Sequence, residues 1–385
     1  MIAKELSFSV EEYRQRQERV RARMRQAEVD VFLSHTPENI FYLSGYRTPG
    51  YYRYQCIAVA QTRDPMLLTR RLEQPNVLAY SWFDDSVAYL DTEDYVELTA
   101  RMIEDLGAGA RGVGVEKDSW FLTIRDFERL QRRLPNARFV DLSGTVEEGR
   151  LIKSPAEVEY MRRAARAAER AMQAGIDAVK DGADENQIAA AVWGGLTLGG
   201  SEYAGLPPFV VVGPRTLIPH ATWSGRKIER GEPWYFEIAG VSHRYAAAFS
   251  RSGSLGTPSN EIRRMGDATA QALTAIIEAI RPGMRASEAN EIGQRAFAEA
   301  GFAGVQTHRL AYSIGVNYPP DWGEGHIMSI QKGEERALQP GMTFHVIPSL
   351  FKMDVAGVIC TETVLITERG AESLFNFPRR FFECG

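Results

Sequence analysis

A chain of 385 residues that is 44% hydrophobic and 25% charged has the length for two or three domains and the composition of a folded globular protein, which excludes a disulfide-stapled miniprotein and a disordered or fibrous chain. The 45 Lys and Arg against 50 Asp and Glu leave a formal charge of −5, with no basic stripe to neutralise phosphates, so nucleic acid is not the expected partner. No apolar run approaches the roughly 18–20 residues of a spanning helix and the first residues lack an apolar signal core, so a cytoplasmic protein is expected.

In chain order, Ser9-Val-Glu-Glu12 is a capping box that opens a surface helix with Tyr13, Val20 and Met24 on its apolar stripe. Short buried strands are predicted at 29–34, 56–60, 66–69, 112–116 and 139–142, interleaved with helices near 37–43, 93–106 and 123–134. That alternation describes a small α/β domain, assigned to residues 1–150. In Lys153-Ser-Pro-Ala-Glu157 the serine is an N-cap and the proline takes the first helical position, which predicts a long Ala-rich helix to about residue 180. Further helices at 185–198, 260–280 and 287–300 alternate in blocks with strands at 209–257 and 310–367, an α+β pattern over residues 151–385. This second domain repeats itself: Lys180-Asp-Gly-Ala-Asp184 parallels Arg281-Pro-Gly-Met-Arg285, and Gly231-Glu-Pro-Trp-Tyr-Phe-Glu237 parallels Gly341-Met-Thr-Phe-His-Val-Ile347. Two such halves are expected to meet across a pseudo-two-fold axis, with Glu237 and Ile347 as counterparts. Cys56, Cys360 and Cys384 form no CxxC pair, which fits a reducing compartment and offers neither a thiolate metal site nor a nucleophile.

These segments resemble the creatinase/aminopeptidase, or pita-bread, family over nearly the whole chain. The resemblance implies an α+β protein: a small N-terminal α/β creatinase-like domain, then a duplicated pita-bread catalytic domain. Peptidases of this fold hold two metal ions with Asp, Asp, His, Glu and Glu. Matched to their motifs, those positions fall here on Glu237, on Ala248 of Ala248-Phe-Ser-Arg-Ser252, on Tyr312 of Ala311-Tyr-Ser-Ile-Gly315, on Ile347 of Val-Ile-Pro348, and on Glu362 of Cys360-Thr-Glu-Thr-Val364. Only two of these side chains can ligate a hard cation, so no catalytic metal and no cofactor are expected. Phe236-Glu-Ile-Ala-Gly240, Tyr312-Ser-Ile-Gly-Val-Asn-Tyr-Pro-Pro-Asp-Trp-Gly-Glu324 and Pro340-Gly-Met-Thr-Phe-His345 resemble ectoine hydrolases. Tyr51-Tyr-Arg53 resembles the aromatic-x-Arg clamp of creatinases, whose catalytic Glu corresponds to Ser250 here.

The resemblance therefore implies a metal-independent hydrolase that opens a C–N bond of a small zwitterionic cyclic amidine such as ectoine. The alternatives are a creatinase-like amidinohydrolase, a small-osmolyte lyase, an Xaa-Pro dipeptidase and a binding protein without catalysis. Amidine hydrolysis needs a nucleophile at a resonance-stabilised carbon, a proton for the departing nitrogen and an anion for the cation. Glu237, in an apolar run where a bare charge is costly, can serve as nucleophile or general base. If Glu362, also among β-branched neighbours, approaches Glu237, one of the pair is expected to have a raised pKa and serve as proton donor while the other stays charged. His220 matches a family position that contacts substrate and moves a proton near neutral pH. The expected substrate-binding residues are Tyr312, His345 and the Pro-stiffened wall of Asp321, Trp322 and Glu324 in the catalytic domain, with Tyr52 and Arg53 from the N-terminal one. In creatinase-like dimers that loop reaches the neighbouring subunit's site, so the expected partners are a small molecule and a second copy of the chain, with no membrane.

Overall fold

The computed structural model describes residues 2–107, 111–305 and 308–385, which form two compact units, 1–150 and 151–385. In the first, helices α1 (Val10–Gln26), α2 (Pro37–Ser44), α3 (Gln74–Tyr80), α4 (Tyr95–Asp105), α5 (Ile124–Arg133) and α6 (Thr145–Leu151) accompany strands β1 (Val31–Ser34), β2 (Cys56–Ala60), β3 (Met66–Arg70), β4 (Ser86–Tyr89), β5 (Gly112–Val115) and β6 (Arg138–Asp141). The sheet order is β4-β3-β2-β1-β5-β6. Both faces are covered. Val31 and Leu33 of β1 join one apolar cluster with Val96, Ile103 and Leu130, whereas Phe32 joins another with Val20, Ile40 and Leu43. Burial on both sides explains why these strands read as unbroken apolar runs. Helix α3 buries only Val77 and Ala79 and strand β4 only Tyr89, so neither carries a comparable apolar run.

The second unit opens with α7 (Pro155–Ala178), where Ser154 Oγ accepts from the Glu157 N–H at 3.3 Å and the Glu157 carboxylate accepts from the Ser154 N–H at 2.6 Å. There follow α8 (Glu185–Leu198), β7 (Phe209–Val212), β8 (Pro233–Ser242), β9 (Tyr245–Leu255), α9 (Asn260–Ala279), α10 (Ala286–Glu299), β10 (Ala311–Tyr318), β11 (Asp321–Gly323), β12 (Ser329–Ile330), β13 (Thr343–Val346), β14 (Ser349–Lys352), β15 (Ala356–Ile359), β16 (Thr361–Thr367), β17 (Gly370–Ser373) and β18 (Phe382–Cys384). The main sheet runs β11-β10-β13-β16-β9-β8-β7, so the two halves of the sequence join where β16 pairs with β9. The internal repeat is visible in the backbone. Gly182 and Gly283, and again Gly231 and Gly341, all adopt φ between 80° and 89°, a region that costs a side chain and not glycine. The isolated bridges Asp184–Lys227 and Arg285–Ala337 likewise stand at matching places.

The Ala-rich helix packs on one face of this sheet. A Cβ on Gly240 of β8 would lie 2.0 Å from the Ala164 carbonyl oxygen of α7, and one on Gly175 of α7 would meet the Phe236 ring at 3.1 Å. Phe236, Ile238 and Gly240 thus face the helix, and by the period of two along a strand Glu237 points the other way. Among the described residues no helix is long and apolar enough to cross a membrane.

Candidate active site

Cross-strand register fixes which side chains share the face opposite the helix, because directly opposed residues of an antiparallel pair point the same way. Phe209, Glu237, Ser250 and Thr361 are opposed in turn across β7, β8, β9 and β16. Tyr312, His345 and Thr363 are opposed across β10, β13 and β16. Thr361 and Thr363 are two residues apart, so both rows lie on one face of the sheet.

Glu237 is its acidic centre. Among the described residues nothing hydrogen-bonds its carboxylate; His345 Nε2 lies 3.9 Å away, and the side chain is mostly buried, with 15% of its surface exposed. Burial without compensation pushes its pKa up to about 7. His345 is wholly buried and both ring nitrogens are engaged: Nδ1 with the Tyr312 hydroxyl at 2.8 Å and Nε2 with Thr361 Oγ1 at 2.7 Å. Burial, with the Arg309 charge adding to it, lowers its pKa to about 3, so the ring is neutral. Trp322 Nε1–H donates to the Tyr312 hydroxyl at 2.9 Å. Burial holds that phenol well above its ordinary pKa, with the Glu237 charge pushing the same way, so it too is neutral.

Phe209, opposite Glu237, stands with its ring centroid 5.3 Å from both Trp322 and His220. His220 is exposed at φ 59° beside this aromatic wall, within electrostatic reach of His308. Arg309, which the sequence did not single out, lays its guanidinium 4.5 Å from the Tyr312 centroid, where a Cβ on Gly325 would collide with it. Tyr312 therefore lies within the field of an anion, Glu237, and of a cation, Arg309.

Two expected site residues lie elsewhere. Glu362 is one residue out of phase with Thr361 and Thr363; it opposes Phe249 and Val346 and faces away from Glu237. Its oxygens accept from Arg251 at 2.5 Å, Arg379 at 2.9 Å and Ser373 at 2.6 Å, and both it and Arg251 are fully buried. The expected Glu237–Glu362 acid pair is therefore not formed, and Thr361 occupies the site-facing position of β16. Glu324 is not a pocket wall either. It forms a buried ion pair with Lys153 at 3.0 Å and accepts from the Val316 N–H at 3.1 Å, beneath Gly315, where any side chain would strike both partners. Asp321 is exposed and its carboxylate accepts the Gly323 N–H at 3.0 Å. Tyr52 and Arg53 are exposed in the N-terminal unit, on a recess of about 360 Å³ shared with Tyr89, Asp91, Trp120 and Arg125. The cysteines are free, and burial pushes the Cys56 thiol up to about 12.

Residues 159–368 match the model of metallopeptidase family M24, and residues 16–152 that of the creatinase/prolidase N-terminal domain. The chain belongs to metallopeptidase family M24. Among M24 relatives it is 33% identical to an ectoine hydrolase of Halomonas elongata over 99% of this chain and 100% of that one. It is 28% identical to an Xaa-Pro dipeptidase of Lactobacillus helveticus over 89% and 91%. Solved M24-like folds include a dipeptidase of Mycobacterium ulcerans, with a TM-score of 0.83, 24% identity and 98% and 99% coverage. A prolidase of Pyrococcus horikoshii gives 0.84, 20%, 96% and 100%. The family's metal pair does not fit the residues present here. Of the five matched positions, Glu237 brings the one carboxylate on that face, and among the described residues no group of three or more His, Cys, Asp and Glu side chains is placed to hold an ion.

Proposed function

We propose that this M24 protein is a metal-independent hydrolase that opens a C–N bond of a small zwitterionic cyclic amidine, ectoine or a close relative, to give an N-acetylated diaminobutyrate. The observation that carries the reading is Glu237, a carboxylate with no hydrogen-bond partner among the described residues, on the sheet face opposite the helix, with its pKa raised to about 7 and a neutral Tyr312–His345 pair beside it. A general base works best when its pKa lies near the working pH. The full-length likeness to an ectoine hydrolase supports the substrate class.

In this mechanism the amidinium lies against the Glu237 carboxylate and the substrate carboxylate against Arg309. Glu237 takes a proton from water as the oxygen adds to the amidinium carbon, and the C=N π pair moves onto nitrogen. The tetrahedral adduct then expels one nitrogen, which receives the proton that Glu237 removed and then the hydroxyl proton of the adduct as the C=O bond forms, leaving an amide and an ammonium. If Glu237 attacks the amidinium carbon directly, one nitrogen leaves as an amine and water then hydrolyses the O-imidoyl ester on Glu237, giving the same amide and freeing the carboxylate. His220, at the mouth, exchanges protons with solvent. A second copy of the chain, bringing Tyr52 and Arg53 to the site, belongs to the same reading and is checked by sedimentation velocity and by Arg53→Ala kinetics.

The test is ectoine turnover by chelator-treated protein, followed by proton NMR, with creatine and Ala-Pro in parallel. Chelator-resistant ring opening is expected. Chelator-sensitive cleavage of Ala-Pro without ectoine turnover would replace the reading with a dipeptidase that recruits metal through other residues.

A further inference from the structure

The chain Trp322–Tyr312–His345–Thr361 has a direction that decides what the site can bind. An indole N–H only donates, so the Tyr312 oxygen accepts from Trp322. Its single proton then goes either to His345 Nδ1 or into the pocket, according to which imidazole nitrogen carries the ring proton. Glu237 Oε1 is 3.9 Å from Nε2. A carboxylate at that distance attracts an N–H and repels a lone pair, which favours the proton on Nε2, donated on to Thr361 Oγ1 at 2.7 Å. The hydrogen bond received from Trp322 also makes the phenol a stronger donor, which favours the same direction. His345 Nδ1 is then an acceptor, and the Tyr312 proton is held there. What Tyr312 has left for the pocket is a lone pair.

Resting on the hydrolase reading above, we propose that His345 is a positioning residue that fixes this polarity, so that Tyr312 and Glu237 present acceptors side by side and the site selects cations with two N–H donors, as on an amidinium, over isosteric ligands that bring a carbonyl oxygen. With the opposite tautomer Tyr312 would donate into the pocket and favour an amide or peptide carbonyl. The polarity thus separates an amidine site from a peptide site without reference to a metal.

The test uses acetamidinium and acetamide, which differ in NH₂ against O at one position and in charge, so the attraction of the Glu237 charge is separated from the polarity of Tyr312 by the Tyr312→Phe variant and by the tautomer. Binding of each to the full-length protein is measured by saturation-transfer NMR, and the His345 tautomer by ¹⁵N spectra of histidine-labelled protein, assigned by the signal lost in His345→Gln. The expected results are an Nε2–H imidazole and at least tenfold tighter binding of acetamidinium. Tyr312→Phe is expected to weaken acetamidinium about tenfold and leave acetamide unchanged. An Nδ1–H imidazole, or acetamide binding as tightly as acetamidinium, would overturn the proposal. The tautomer is read on wild-type protein, so an unstable variant does not decide the outcome. Amidinium selectivity without ectoine turnover would remove the hydrolase reading and leave the polarity standing.

Discussion

Replacing Glu237 by glutamine is expected to abolish turnover and to make the protein more stable, by an amount that depends on pH. The carboxyl rises from an ordinary 4.5 to about 7 in the folded chain. At about 1.4 kcal/mol for each pKa unit, keeping the ion buried costs about 3 kcal/mol once both states are ionised. The sign follows from the direction of the rise. A carboxyl whose folded pKa lies above its unfolded one contributes most below pH 4.5, and that contribution is lost as pH climbs through 7. Glutamine carries no charge, so Glu237→Gln should gain about 3 kcal/mol at pH 8 and about 1 kcal/mol at pH 5. For a unit of this size the gain at pH 8 is a rise of about 5–10 °C in melting temperature, with about 2–3 °C at pH 5. Calorimetric melts of wild-type and variant protein at the two pH values measure it, alongside ectoine turnover. In the proposed mechanism the ionised form is the base, so wild-type kcat/KM should fall about tenfold per pH unit below 7. An equal gain at both pH values, or none at pH 8, would refute the premise that Glu237 is an uncompensated buried carboxylate.

Glu362 should behave as a structural residue. Glu362→Gln leaves the Arg251 guanidinium buried without its anion and should cost about 3–5 kcal/mol, with kcat of the folded fraction changed less than threefold; a hundredfold loss of kcat at unchanged melting temperature would restore it as a catalytic acid. In the N-terminal unit, Asn39 Nδ2 donates to Glu116 at 2.7 Å and to Glu147 at 2.6 Å. Burial, then the Glu147 charge, pushes Glu116 up to about 8. Over pH 5–9 this carboxyl should therefore cost that unit stability as pH rises toward 8. Glu147→Gln should flatten the trend in melts at pH 5, 7 and 9, and an unchanged slope would exclude the coupling.

Local chemistry was legible wherever it acts over a few residues. Ser154 and Glu157 cap α7 as their spacing requires, and the paired glycines of the repeat take left-handed φ in both halves. Glu237 stood out because a lone carboxylate in Trp-Tyr-Phe-Glu-Ile-Ala-Gly has to be accounted for. Side-chain phase across partners far apart in sequence was not legible. Glu362 and Thr361 are adjacent, and only pairing with β9 and β13 shows that the threonine faces Glu237 and the glutamate faces Arg251. Glu324 read as a loop acid because its partner, Lys153, lies 171 residues away. Arg309 gave no signal, since its position over Tyr312 depends on the absence of a side chain at Gly325. Most of the elements, the duplication and the presence of a carboxylate, Glu237, in an apolar strand follow from local sequence, because caps, period and hydrophobicity act locally. The tertiary structure alone decided which neighbours that carboxylate has, because a strand's two faces differ only through the strands it pairs with, and a shift of one residue exchanges them.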